Sequence, residues 1–468
     1  MTFKLPVVNE RPNLSRRNLL QALGAATGGF LLADFMLPKA AFAQTKDVKR
    51  KFVFAYFEGG WDQLLGLDPR DPATTNAANQ LIDPAYSQLA YGFSSRGVQR
   101  AGQLELGPAV PPSFLQIAGE CSIIKGITMD TAAHEVGRRY FITGRFPRGL
   151  EAVGSSTASE ILAQIGEATP IAHISAGVEA YAEKMPSFAH ALNVNSLSDL
   201  SIALTPIATL DPKIKAAVEK FQDESPGCEG VRLNRDGLTS QLLESVKRSR
   251  SYITSQLSSV FDLTRNDAEM AALRNLYDIA AAQGDVSAPE VMAFAAGQAI
   301  KKNVAQCVSF QAARNLDTHA DWAQDHPGRQ EQGWKALASL ITDLKNTPGS
   351  MPGKTMLDET TILAFSEFAR TPLFNNIRGR DHFLGNSVLV AGAGIKRGIK
   401  VGGSAAVGQM PIETDLATGI AYEMPTQMMR DSGQVQILTP KHVLATVLAS
   451  AGLDYSYLRA DPIRALLP

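Results

Sequence analysis

Cysteine is scarce in this chain. Cys121, Cys228 and Cys307 are odd in number, far apart and form no C-x-x-C pair, so neither a zinc knuckle, a redox centre nor a disulfide scaffold is expected, and the three read as small buried hydrophobes. An excess of one charge is missing as well: 45 Lys and Arg stand against 46 Asp and Glu, a formal charge of −1. With no basic surplus to neutralise a phosphate backbone, nucleic-acid binding is not expected. No apolar run reaches the roughly 20 residues of a membrane span. There is no G-x-S-x-G elbow, P-loop or EF-hand loop, which removes the commonest serine hydrolases and nucleotide-binding classes. His134-Glu-Val-Gly-Arg138 starts like a zincin but lacks the second histidine at i+4, and Gly392-Ala-Gly394-Ile-Lys-Arg-Gly398 has one residue too many for a dinucleotide fingerprint.

What is present suffices for a large core, since 45% of 468 residues are hydrophobic. The amino terminus reads as an address. Ser15-Arg16-Arg17-Asn18-Leu19-Leu20 precedes an apolar stretch from Leu19 to Ala33, followed by Lys39 and Ala41-Phe42-Ala43. That order of charged, apolar and small residues is an export signal, and the paired arginines resemble the twin-arginine class. Residues 1–43 are therefore expected to be removed, leaving 425 residues with 40 basic against 44 acidic groups. The mature protein is expected in the periplasm or outside the cell, delivered by the twin-arginine export machinery and not embedded in a membrane.

Along residues 44–468 the pattern alternates. Phe52 to Phe57 reads as a buried strand delivering the glycine-rich turn Glu58-Gly59-Gly60-Trp61-Asp62. Further strands are expected at residues 121–127, 303–310, 360–365 and 387–390. Helical periodicity covers residues 202–300, read as a helical insertion or cap, and returns over 330–344. Strands alternating with helices predict an α/β fold with a doubly wound, mainly parallel sheet and flanking helices.

Polar residues fall where these strands end: Asp62, then Asp317 with His319, then Glu367, then Asp381 with His382. Ligands in an open α/β sheet bind at the carboxyl edge, and carboxylates and imidazoles offered by separate loops are what a divalent-metal site there requires. The histidines carry most of this information, because the chain has only seven. Mixed carboxylate and imidazole ligands suit Zn, Mn or Fe alike. His326, seven residues after His319, is expected near these residues if a helix starts there and facing solvent otherwise, and His173, His190 and His442 are expected to be structural.

The stretch from His134 to Pro147 ends in Thr143-Gly144-Arg145-Phe146-Pro147 and resembles the sulfatase signature. Aligned on Thr143-Gly144-Arg145, Arg138 falls on the signature arginine and His134 where its Cys or Ser nucleophile belongs. Together with the Gly-Gly-Trp-Asp turn, Asp317-Thr-His319, Ser366-Glu-Phe-Ala-Arg370 and Gly379-Arg-Asp-His382, this resembles the exported domain of unknown function 1501 family, itself similar in fold to the alkaline phosphatase and sulfatase superfamily. The resemblance implies metal positions at Asp62, Asp317, His319, Glu367, Asp381 and His382. It implies a small anionic ester as substrate, clamped by Arg138 or Arg370. His134 is left as a metal ligand, a nitrogen nucleophile or a buried structural histidine, with Thr131 and Thr143 as other nucleophiles. The expected function is an exported, metal-dependent hydrolase of phosphate or sulfate esters. The alternative is an exported binding or assembly protein that kept the fold without catalysis.

Overall fold

The computed structural model describes residues 49–204, 257–280 and 285–468. The proposed signal at residues 1–43 and much of the helical stretch, residues 205–256 and 281–284, lie outside the described residues. The first strand, β1 (Lys51–Phe57), is buried along its whole length. Its residues alternate between two cores: Val53, Ala55 and Phe57 join one, Phe52, Phe54 and Tyr56 the other. A strand covered on both faces must be apolar throughout. This explains the unbroken apolar run that marked it in the sequence.

Seven further strands complete the sheet: β2 (Cys121–Thr128), β3 (Ile171–Ala176), β4 (Ala191–Val194), β5 (Ala305–Ala313), β6 (Thr360–Phe365), β7 (Gly385–Gly392) and β8 (Lys400–Gly402). Their order across the sheet is β8-β2-β7-β6-β1-β5-β3-β4. All pairings are parallel except those of β7, which runs against both β2 and β6. The fold is thus a mostly parallel α/β sheet with flanking helices, as the alternating pattern predicted. Helices α1 (His134–Thr143), α2 (Thr157–Ile165) and α6 (Pro440–Ala449) cover one face, while α4 (Pro289–Lys301) and α5 (Trp322–Asn346) cover the other. Between them in sequence, α3 (Ala268–Tyr277) packs on α4 and α5 through Met270, Leu273 and Tyr277.

The expectation of an insertion reaching residue 300 is corrected at its carboxyl end. Helix α4 is buried along nearly all its length against β5, so it is a layer of the central core. Its polyalanine-like face gives helical periodicity without marking what it covers. Among the described residues no helix is long and apolar enough to cross a membrane. Cys121 and Cys307 are buried and free, as their isolation in sequence suggested.

Candidate metal centre

The parallel strands deliver their carboxyl ends to one edge, and four segments meet there. Strand β5 leads to Asp317 and His319, β6 to Glu367, β2 to the start of α1 at His134. Strand β7, being antiparallel, begins at that same edge, so the segment before it supplies Asp381 and His382. His382 is fixed by a short antiparallel ladder with Arg370.

Close approach of backbones makes this convergence possible. Gly59 follows β1 with φ +104°, and a Cβ there would lie 2.6 Å from the Asp317 nitrogen; only glycine fits that conformation and that gap. Gly137, three residues after His134 on α1, rests against Glu367, whose carbonyl oxygen would be 2.6 Å from an added Cβ. This contact lowers the first turn of α1 onto the end of β6.

The centre of the arrangement is one carboxylate oxygen. Asp317 Oδ1 lies 3.3 Å from His134 Nε2, 3.0 Å from His319 Nε2 and 3.2 Å from His382 Nε2. His319 and His382 bring their Nε2 atoms within 2.9 Å of each other. Ligand atoms of His134, Asp317 and His382 fall within 4.8 Å of one another. The remaining ring nitrogens are all anchored. His134 Nδ1 meets Glu367 Oε1 at 2.7 Å, His319 Nδ1 meets Asp381 Oδ1 at 2.7 Å, and His382 Nδ1 meets the Ala132 carbonyl at 2.6 Å. A carbonyl or carboxylate oxygen there accepts, so each Nδ1 carries the hydrogen and each neutral ring presents an Nε2 lone pair inward. His134 Nε2 is buried with no hydrogen-bond partner.

The holders are themselves held. Glu367 is buried and accepts from the Gly59 N–H at 2.9 Å and from Ser366 Oγ at 3.0 Å. Asp381 accepts from Asn375 Nδ2 at 2.9 Å. Arg370 donates through Nη2 to Asp317 Oδ1 at 2.6 Å, through Nε to the Gly60 carbonyl at 3.0 Å and through Nη1 to the Arg380 carbonyl at 3.1 Å, with a further bond to the Gly59 carbonyl. Burial would raise the Asp317 carboxyl, but Arg370 outweighs it and holds the group far below the usual carboxylate range. Burial likewise opposes ionisation of Glu367, and the His134 hydrogen bond and charge prevail to lower it. In His134 burial pulls downward, and Glu367 with Asp317 lifts the ring above the ordinary imidazole value. Burial lowers His382.

Several residues singled out in the sequence do other work. Asp62 is fully buried away from the cluster. It caps the turn by accepting from the Leu64 and Leu65 N–H groups, accepts from Trp322 Nε1 at 2.8 Å, and pairs with Arg380 at 3.2 Å. Glu367 and Asp381 stand behind histidines instead of facing the centre. Arg138 is no free anion clamp, because Glu179 takes its Nη2 at 2.9 Å and its Nε at 3.2 Å. Arg370 is committed to three carbonyls and Asp317. Thr143 is buried and bonded to the Arg139 carbonyl, which removes it as a nucleophile. His326 is not solvent-facing: fully buried, it accepts from the Asp62 N–H at 3.0 Å and is tied to Thr318 Oγ1 at 2.7 Å. Asn375 was missed in the sequence, and no motif marks it.

A family described as "Protein of unknown function (DUF1501)" matches residues 49–430. No curated protein sequence matches the chain. Among solved structures, a protein in the alkaline phosphatase superfamily from Vibrio parahaemolyticus is similar at 9% identity and TM-score 0.39, covering 90% of this chain and 70% of that one. The lipoteichoic acid synthase LtaP from Listeria monocytogenes is similar at 7% identity and TM-score 0.35, covering 87% and 72%.

Proposed function

The chain belongs to the DUF1501 family, and on that premise we propose that it is a metal-dependent hydrolase of phosphate or sulfate esters whose ion is held by His134, Asp317, His319 and His382. One observation carries the metal reading: three Nε2 atoms lie within 3.3 Å of one carboxylate oxygen while every Nδ1 is committed outward. Acceptors so gathered repel unless a cation or protons lie among them. The anchoring of Nδ1 by carboxylates and a carbonyl is the outer support that metal-bound histidines show. The donor set, three imidazoles and a carboxylate, fits Zn, Mn or Fe.

A bound divalent ion supplies Lewis-acid polarisation of an ester oxygen and lowers the pKa of water. The chain's own residues do the rest. Glu367 and Asp381 fix the tautomer and tilt of His134 and His319, Arg370 keeps Asp317 ionised, and the Ala132 carbonyl orients His382. The ester class comes from the likeness of residues 134–147 to the sulfatase signature. His134 stands in the nucleophile's place as a ligand, so attack through a covalent sulfo- or phospho-enzyme at that position is not part of the proposal.

A second reading, a binding or assembly protein without catalysis, is favoured by one observation: Arg138 is already paired with Glu179, and Arg370 is buried and bound to Asp317 and three carbonyls, so both guanidinium charges are committed within the protein. The two readings separate in one experiment. Protein purified without chelator is analysed for metals beside Asp317→Asn and His382→Ala, and each is assayed on aryl phosphates and sulfates. Near-stoichiometric metal and hydrolysis, both lost in the variants, support the hydrolase. Metal without any hydrolysis supports the binding protein, and full metal retained in both variants overturns the ligand set. We further propose that residues 1–43 direct twin-arginine export, supported by the Ser15 to Leu20 motif. Amino-terminal sequencing of exported protein should begin at Gln44.

A further inference from the structure

Large apolar side chains stand in water along the segments that border the histidine cluster: Ile377 is 62% exposed, Leu384 40%, Met410 45% and Ile437 36%. Backbone contacts place each of them there. Ile377 donates its N–H to Asn375 Oδ1 at 3.0 Å, and Asn375 in turn holds Asp381 and, at 2.8 Å, the His319 carbonyl. Leu384 lies two residues beyond His382, about 7 Å of extended chain, and its carbonyl accepts from the Met129 N–H at 2.8 Å. Ile437 adjoins Leu438, whose carbonyl accepts from the Thr128 N–H at 2.8 Å. Consecutive N–H groups of a strand point to opposite sides, so residues 384 and 438 flank the end of β2 about 10 Å apart. Met410 adjoins Pro411, which packs on the start of β7: a Cβ on Gly385 would lie 3.4 Å from the Pro411 Cδ. Apolar side chains exposed singly carry no meaning, but several bordering one site mark a surface that a ligand covers. The floor of the centre is apolar as well, since the buried Phe368 ring lies 4.8 Å from that of His134 and 4.6 Å from that of His382.

We propose that the ester taken by the centre carries an alkyl chain, which lies over Leu384, Met410 and Ile437. The inference rests on the metal-dependent hydrolase reading and names its substrate class, an amphiphile with an anionic ester head. Continuity selects this occupant: the apolar border comes within two residues of His382, so a chain attached to a head held at the centre passes directly onto it. Arg138 and Arg370 are committed to internal partners, and burial of a tail supplies the affinity that a free arginine would otherwise give. The border is open to solvent, so chains of different length fit on it, and affinity should grow with each methylene that leaves water.

The test titrates butyl-, hexyl- and octylphosphonate, which cannot be hydrolysed, into the purified protein by calorimetry, with metal content measured on the same samples and a chelated sample beside them. A half-buried methylene is worth about twofold in affinity, so octylphosphonate should bind about fifteenfold tighter than butylphosphonate. In the double variant Leu384→Ser, Met410→Ser that ratio should fall at least threefold with metal content unchanged, and Ile202→Ser, exposed on a helix elsewhere, should leave it alone. Metal-loaded protein with the same affinity for all three phosphonates overturns the proposal and leaves the hydrolase reading standing. Protein that holds no metal overturns both. A chain-length dependence that survives the double variant, or that persists undiminished after chelation, overturns the link between border and centre. Should the double variant fail to fold, the wild-type series with and without chelator decides. Binding to phosphatidylcholine vesicles without any chain-length effect among the soluble phosphonates assigns the apolar border to a membrane surface and overturns the proposal.

Discussion

Removing the charge from Asp62 should cost stability and leave the metal centre loaded. The carboxylate and Arg380 are both fully buried and 3.2 Å apart. Arg380 packs against two rings, 4.5 Å from the centroid of Trp322 and 4.6 Å from that of Phe374. In Asp62→Asn the carboxamide keeps one oxygen for the Leu64 and Leu65 N–H groups, but its NH2 then faces the Trp322 N–H and the guanidinium, two donors with nothing to accept them. Stranding a buried charge in this way costs about 3–5 kcal/mol. The unit Lys46–Pro468 has 423 residues; at ~2.1 cal/mol/K per residue its unfolding entropy is ~0.9 kcal/mol/K, so the midpoint should fall by about 3–6 °C. The assay is thermal and urea denaturation of wild type and Asp62→Asn, with metal content measured on the same samples. A variant that melts like wild type, or that loses its ion as Asp317→Asn should, would refute the reasoning.

Chelation of the wild-type protein should lower the thermal midpoint as well. An ion present at ~1,000 times its dissociation constant stabilises by about 4 kcal/mol, a shift of about 4 °C; the same chelator should leave Asp317→Asn unmoved in calorimetry. Gly137→Ala should push α1 off Glu367 and loosen the His134 anchor, weakening metal affinity by about 10–100-fold, the usual effect of disturbing an outer holder; competition with a chromophoric chelator would show it, and unchanged affinity would refute the close packing. Asp381→Asn, which keeps an acceptor for His319 without the charge, should weaken affinity less than Asp381→Ala in that competition. Glu179 makes an acid-sensitive contribution. Burial opposes its ionisation, but Arg138, Arg139 and Tyr181 outweigh that and hold it at about 2. Its unfolded value is higher, so the stabilisation is complete above that value and disappears as pH falls towards 2. With allowance for its partial exposure it is worth about 1–2 kcal/mol, and urea midpoints at pH 7 and pH 3 should converge between wild type and Glu179→Gln at the acid end.

The sheet was legible because its central strands are buried on both faces and therefore written as unbroken apolar runs. Strands β3 and β4 escaped notice: His173 and Ser175 interrupt the first, and β4 is only four residues, mostly half-exposed. In the candidate centre, residue type and strand-end position picked out Asp317, His319 and His382, and the misfit in the sulfatase-like signature picked out His134. Rank within the site was not legible. Whether a carboxylate meets the gathered Nε2 atoms or stands behind a histidine is decided by a few ångströms of backbone, and Glu367 and Asp381 are found bonded to the Nδ1 atoms of His134 and His319. Asp62 and Arg138 misled for a related reason. A charged residue at a strand end looks the same in sequence whether its partner is a ligand or, as here, Arg380 and Glu179.

The antiparallel entry of β7 has a kinetic consequence. It places His382 beside a histidine 248 positions earlier in the chain, with Asp317 and His319 between them. No segment of the chain shorter than that span holds the whole set. Closing such separations is slow and comes after local structure has formed. The four side chains therefore come together only once β2, β5, β6 and β7 have taken their places in the sheet, and any ion held among them would be taken up late in folding.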